Sequence, residues 1–282
     1  MINLILAVLC GTMITCIMRF SDRYTDPHKK MSMLLANYVV CVILAVFYTG
    51  IGTLWSMSSG KLKSLGLGSI NGVIFFSAYV LLQISTTRNG VVLSATFMKL
   101  GVLVPTVLSV IIFGEKPSIF QILGFLIAIA AIIAINTPDR GTDLSADFKS
   151  GLFLLLILGG TADFMSKIYE EAGSPDHADQ FLVYTFLFAC ILCFVTMVCR
   201  HQKTGIREIL FGVLLAFPNY FSTRFLLKAI GEIPAVVAYP TFSVASIVAA
   251  SAAGMVLFGE KLSARQKKAL LAIMVALVLL NI

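Results

Sequence analysis

Apolar runs about as long as a membrane is thick follow one another along this chain, and they constrain its fold more than any other feature. A helix needs ~20 residues to cross ~30 Å of hydrocarbon. Ten such runs are read here, at roughly 2–20, 32–54, 65–84, 89–113, 117–136, 150–170, 180–199, 209–228, 232–257 and 262–281. Lipid offers the backbone no hydrogen bonds, so a spanning segment must be a helix or part of a closed barrel. The runs are continuously apolar rather than alternating, which excludes a barrel. Of 282 residues, 59% are hydrophobic and 12% charged, against about 25% charged in a soluble domain. The expectation is an all-α integral membrane protein with ten transmembrane helices and no separate soluble domain. The first run has no basic n-region and no small-residue cleavage site, and is read as a span rather than a signal peptide.

The six cysteines, Cys10, Cys16, Cys41, Cys190, Cys193 and Cys199, all lie in apolar runs, and none has metal spacing with a histidine. They read as packing residues. The three histidines, His28, His177 and His201, fall in loops. No metal and no cofactor is expected. The net charge of +7 comes from residues flanking the spans, where basic side chains set orientation, so no nucleic-acid partner is expected.

A charged tetrapeptide recurs in this apolar chain, as Phe113-Gly114-Glu115-Lys116 and Phe258-Gly259-Glu260-Lys261. A shift of 145 residues aligns these two, and also Ser118 and Gln121 with Ser263 and Gln266, Thr96-Phe97 with Thr241-Phe242, and Asn136 with Asn281. A shift of 149 places Gly11-Thr12 on Gly160-Thr161. The period is half the chain, which predicts five helices in 1–137 and five more in 150–282. Five is odd, so the second copy enters the membrane from the opposite side. That is an inverted-topology repeat, whose usual use is alternating access around a midplane site. The two tetrapeptides then face opposite compartments, which favours a local structural role. Gly114 and Gly259 suit the left-handed position that ends a helix. Ser118-x-x-Gln121 and Ser263-x-x-Gln266 have capping-box spacing for the next helix, and Pro117 cannot continue the preceding one. The corner motif is thus Gly114, Glu115, Gly259 and Glu260, with a gate contact by Glu115 or Glu260 as the alternative.

The two five-helix halves and their Gly-Glu corners resemble the drug/metabolite transporter superfamily, in its ten-helix EamA-like branch. The resemblance spans nearly the whole chain and implies one EamA-like repeat in 1–137 and another in 150–282. It implies a multi-pass transporter of a bacterial inner (plasma) membrane. Small multidrug members carry a coupling carboxylate in the middle of the first helix. This chain has no acid there; Asp163, in the first helix of the second copy, aligns with Ile14.

Charges inside spans cost about 2.5–3.5 kcal/mol at the bilayer centre on insertion scales, and are read as functional. Lys99 lies ten residues from one end of its run and fourteen from the other, too deep for its stem to snorkel easily. Asp163 lies about as far along the sixth run, and the two runs point the same way. A Lys99–Asp163 pair is one option; Asp163 with Lys167, one turn on, is the other. The eighth run carries a polar stripe of Asn219, Tyr220, Thr223, Arg224 and Lys228 at spacings of three and four, beside Pro218. Tyr239 and Pro240 follow in the ninth. Lys99, Asp163, Asn219, Tyr220, Arg224, Tyr239 and Thr96 are the candidate solute contacts, with Asp163 and Lys99 the candidates for coupling to protons. Lys99, Lys167 and Arg224 against a single Asp163 would make a positive cavity, favouring a carboxylate- or phosphate-bearing solute.

The leading reading is a secondary active transporter for an amino acid or anionic metabolite. Its partners are a small solute, the lipid bilayer and, optionally, protons, with the protein a monomer or weak dimer. The alternatives are a multidrug-type organic cation/proton exchanger using Asp163, an integral-membrane enzyme, or a scaffold. An enzyme would need nucleophiles or metal ligands gathered at one membrane face, and no such cluster stands in the sequence. Fourteen Lys and Arg fall in the odd-numbered loops and four in the even-numbered ones, which puts both termini outside by the positive-inside rule. The resemblance implies both termini inside.

Overall fold

The computed structural model describes residues 1–26, 29–50, 59–89, 91–136, 149–173, 177–258 and 264–282. Among them the chain is helical, with no strand. The helices are α1 (Ile2–Tyr24), α2 (Lys30–Thr49), α3 (Ser59–Asn89), α4 (Val91–Leu100), α5 (Leu103–Phe113), α6 (Ile119–Asn136), α7 (Lys149–Ala172), α8 (Ala178–Cys199), α9 (Ile206–Glu232), α10 (Ala235–Phe258) and α11 (Ala264–Leu280). Seven of them are long and apolar enough to cross a membrane: α1, α2, α3, α7, α8, α9 and α10. Shorter apolar stretches run through Phe97–Phe113 and Ile119–Ala134. Each apolar run read from the sequence corresponds to one helix, apart from the fourth. There the expected continuous span is interrupted at Gly101 and Val102, which form a turn between α4 and α5. Pro218 and Pro240 sit inside helices that continue through them.

The chain divides into two compact units. Unit one comprises Met1, Ser77–Lys167 and Ala229–Ile282, and unit two comprises Ile2–Phe76 and Ile168–Lys228. Each unit takes chain from both 1–137 and 150–282.

In unit one, α6 and α11 lie along one another, with α10 against both. Ala128, Ala131 and Ile132 of α6 are buried against Ile273, Ala276 and Leu280 of α11, together with Val244 and Ile247 of α10 and Leu100 at the end of α4. Alanines at this seam let the backbones approach closely, which favours helix association where lipid tails are as apolar as the side chains. Away from the seam, α11 exposes Leu271, Met274 and Val278.

In unit two, α2 and α8 lie along one another. The Cys193 thiol approaches the Met31 carbonyl at 3.8 Å, and the Tyr38 and Phe186 rings meet at 6.5 Å. The numbers rise on one helix as they fall on the other, so the two run antiparallel. The next contacts bring α9 onto α2: the Cys41 thiol donates to the Ala216 carbonyl at 3.5 Å, and the Asn219 amide donates to Asn37 Oδ1 at 3.3 Å. Helix α1 also presents an open apolar face of Ile5, Leu9 and Met13. A face of this kind is at home in lipid and unfavourable in water.

Candidate functional site

The break between α4 and α5 organises the charged groups of unit one. Gly101 N–H donates to the Met98 carbonyl at 3.2 Å and Val102 N–H to the Lys99 carbonyl at 3.4 Å, so the last turn tightens to three-residue bonds. Pro105, four residues after Gly101, has no N–H to return to the Gly101 carbonyl; Val104 N–H takes that acceptor instead at 3.0 Å. The backbones of α4 and α7 meet at this point. A Cβ on Gly160 would fall on the Gly101 carbonyl oxygen and against Val104.

Lys99 stands in the last turn of α4, just before the break at Gly101. Its side chain is exposed on the surface of the described residues. Asp163 lies three residues past Gly160 on α7, and Gly160 meets the break two residues after Lys99. Tyr239 of α10 joins them, its hydroxyl donating to the Asp163 main-chain carbonyl at 2.7 Å. Unit one thus brings together three of the candidate residues. The side chain of Thr96 lies outside the described residues.

Lys167 does not take the alternative place beside Asp163. Its Nζ lies 3.4 Å from Glu115 Oε1 and 5.6 Å from the centre of the Phe113 ring. The first N–H groups of any helix lack an acceptor within it. In α10 these are Ala235 and Val236, and they donate to the two carboxylate oxygens of Glu115 at 2.9 and 2.8 Å. A negative charge is also favoured at a helix N-terminus. Glu115 therefore ties the α5–α6 corner to the start of α10 and to α7. The side chains are 13% exposed for Glu115 and 6% for Lys167. The corner is built by its other residues. Gly114 ends α5 at φ 67° in the left-handed region. Ser118 and Gln121 exchange hydrogen bonds at 3.0 and 3.2 Å. Gly259 and Glu260 lie outside the described residues.

Unit two holds the remaining candidates. Arg224 is gripped by Asp179 through two bonds of 2.8 Å, and its guanidinium lies 4.1 Å over the Tyr48 ring. Tyr48 stacks on Tyr220 at 5.9 Å. Asn219 is engaged with Asn37 as above. The Tyr220 hydroxyl is buried and has no hydrogen-bond partner among the described residues. Asp179 and Tyr48 were not visible as partners of Arg224 in the sequence, because no spacing links positions on three different helices.

These pairings correct the charge argument made from the sequence. Lys167 and Arg224 each carry a carboxylate of their own, so they add no net positive charge. Lys99 and Asp163 remain as one basic and one acidic group. Among the described residues no group of three His, Cys, Asp or Glu could hold a metal ion.

Residues 182–276 match the family described as Small Multidrug Resistance protein, a stretch containing neither Lys99 nor Asp163. An uncharacterized protein of Haemophilus influenzae is 21% identical over 80% of this chain and 78% of its own. A crystal structure of another protein superposes with a TM-score of 0.76 at 13% identity, covering 99% of this chain and 94% of that one; at that identity the likeness is one of fold. The family match, on a chain with seven helices long and apolar enough to span a membrane, points to a multi-pass membrane protein of the small-molecule transporter type.

Proposed function

We propose that this protein is a secondary active transporter of the EamA-like kind in a cell membrane, moving a small organic solute by alternating access across two inverted five-helix repeats. The observation that carries the reading is an apolar helix interrupted at Gly101 and Val102, with Lys99 just before the break and Asp163 one turn past Gly160, where α7 meets it. Interrupted spans at the bilayer midplane are where transporters of inverted-repeat design hold their substrates. Helix pairing supports the repeat. The second helices of the halves, α2 and α8, pack antiparallel in unit two, as an inverted repeat requires. The fifth helices, α6 and α11, pack together in unit one. One cation and one anion suit a zwitterion, its carboxylate at Lys99 and its ammonium at Asp163. An amino acid therefore stands ahead of an anionic metabolite.

A second reading rests on the Small Multidrug Resistance match. There Asp163 would exchange an organic cation for a proton, with Lys99 as its resting counter-ion.

Thermal unfolding of purified protein with anionic, zwitterionic and cationic solutes separates the two. A ligand that binds only the folded state stabilises it by ~2.7 kcal/mol at a hundred times its Kd. Amino acids are expected to raise the unfolding temperature of the wild type and of neither Lys99→Gln nor Asp163→Asn. Stabilisation by cations alone, kept in Lys99→Gln and lost in Asp163→Asn, would replace the amino-acid reading with the exchanger.

A further inference from the structure

Four charged side chains of unit one alternate in sign: Lys99, Asp163, Lys167, Glu115. Asp163 and Lys167 stand one turn apart on the same face of α7. The first two flank the helix break, where Gly101 meets Gly160, and the last pair holds the start of α10. Lys167 has an acid on each side: Glu115 at 3.4 Å, and Asp163 one turn back along its own helix. Glu115 has no such choice, since both of its oxygens are committed to the N–H groups of Ala235 and Val236.

We propose that Glu115 and Lys167 form a latch on the N-terminus of α10, and that the Lys99–Asp163 pair works this latch through Lys167. While Lys99 neutralises Asp163, Lys167 is left to Glu115, and the carboxylate is held over the first turn of α10. When Lys99 is drawn away, as by the carboxylate of a solute, Asp163 gains an unopposed charge and competes for Lys167. Glu115 then holds a net negative charge in a site that is almost closed to water, where an unpaired ion is costly. The contact to α10 loosens. Tyr239 reinforces the link, because its bond to the Asp163 carbonyl ties α10 to α7 at the site itself. Lys167 is in this account a positioning residue. The Phe113 ring under its amine, 5.6 Å away, adds a cation–π contact at the latch.

The inference rests on Lys99 and Asp163 being the binding pair, but its test uses no solute, so the latch can fail while the transport reading stands. The measurement is amide hydrogen exchange at Ala235 and Val236, resolved by mass spectrometry on full-length protein in lipid nanodiscs. Removing a helix cap of this kind is expected to speed exchange at these two amides roughly 2- to 30-fold. Glu115→Gln and Lys167→Met should both do so, and Lys167→Arg, which keeps the charge, should match the wild type. Lys99→Gln, which leaves Asp163 unopposed, should also speed exchange, and should add nothing in a Lys167→Met background. Should Lys167→Met fail to fold, Lys167→Gln takes its place. Wild-type exchange in folded Lys167→Met or Lys167→Gln removes the latch. An effect of Lys99→Gln that is the same with and without Lys167 removes its coupling to the site.

Discussion

At the scale of single residues, the least settled group is the Tyr220 hydroxyl. It is buried without a partner among the described residues, while its ring packs on Tyr48 at 5.9 Å and Phe186 at 6.2 Å. An unsatisfied buried hydroxyl costs about 1–3 kcal/mol, so removing it should relieve the fold. Tyr220→Phe is expected to unfold at the wild-type temperature or above it. A fall worth more than about 1 kcal/mol would mean that the hydroxyl has a partner in the folded protein. An unchanged unfolding temperature with weakened solute stabilisation would assign the hydroxyl to the solute. Lys99 and Asp163 stood out in the sequence because a charge in an apolar run has no ordinary explanation, and the structure sets them on either side of the Gly101–Gly160 contact. The partners of Arg224 were not: Asp179 opens a helix and Tyr48 ends one, positions where an acid and an aromatic are commonplace. Glu115 was half legible. Its repetition as Phe-Gly-Glu-Lys marked it, but the N-terminus it caps lies 120 residues further on.

At the scale of elements, the interrupted fourth span was signalled by Gly101 and by Pro105 four residues later, a pair that removes one helical hydrogen bond and weakens the helix around it. The continuous apolarity of the run hid this, because hydropathy is blind to a turn of apolar residues. The break lets α7 approach, and the adjacent glycines of α7 differ in what they require. A Cβ on Gly160 would meet the Gly101 backbone, whereas one on Gly159 would meet only Met98 Cγ, at 4.0 Å. Gly160→Ala is therefore expected to destabilise the protein by about 1–3 kcal/mol, since backbone must shift to admit it. That exceeds the ~1 kcal/mol that alanine returns in helix propensity. Gly159→Ala should keep that propensity gain and be neutral or stabilising. Thermal unfolding of the two variants side by side decides it; equal effects would mean that α4 and α7 are further apart than the structure has them. The other end of α5 was fully readable, Gly114 by its residue type and the Ser118–Gln121 box by its spacing. Some repeat-marking residues join elements too: Asn281, just past the end of α11, donates to Thr241 of α10 at 3.3 Å.

At the scale of the whole molecule, the number of spans fixes which compartments the chain visits. Seven helices meet the length and hydropathy of a span outright. The remaining three runs are α4 with α5, α6 and α11, respectively interrupted, short in their apolar stretch and 17 residues long. The pairing of second with second and fifth with fifth helices argues for counting all three, because each would otherwise lack its counterpart. Ten spans return the C-terminus to the side of the N-terminus. Five spans per half put the connection at 137–148 on the other side. Seven or nine spans would separate the termini. By the positive-inside rule, fourteen basic residues in the odd-numbered loops against four in the even-numbered ones would put that connection, with Arg140 and Lys149, in the cytoplasm, whereas the resemblance puts it outside. Reporters active on only one side of the membrane, fused at each terminus and inserted after Arg140, should give one answer at the two ends and the opposite answer in the middle. Activity reporting the insertion as cytoplasmic would settle the orientation in favour of the charge count over the resemblance. Termini on opposite sides would end the five-plus-five architecture, and with it the proposal of an inverted repeat working by alternating access.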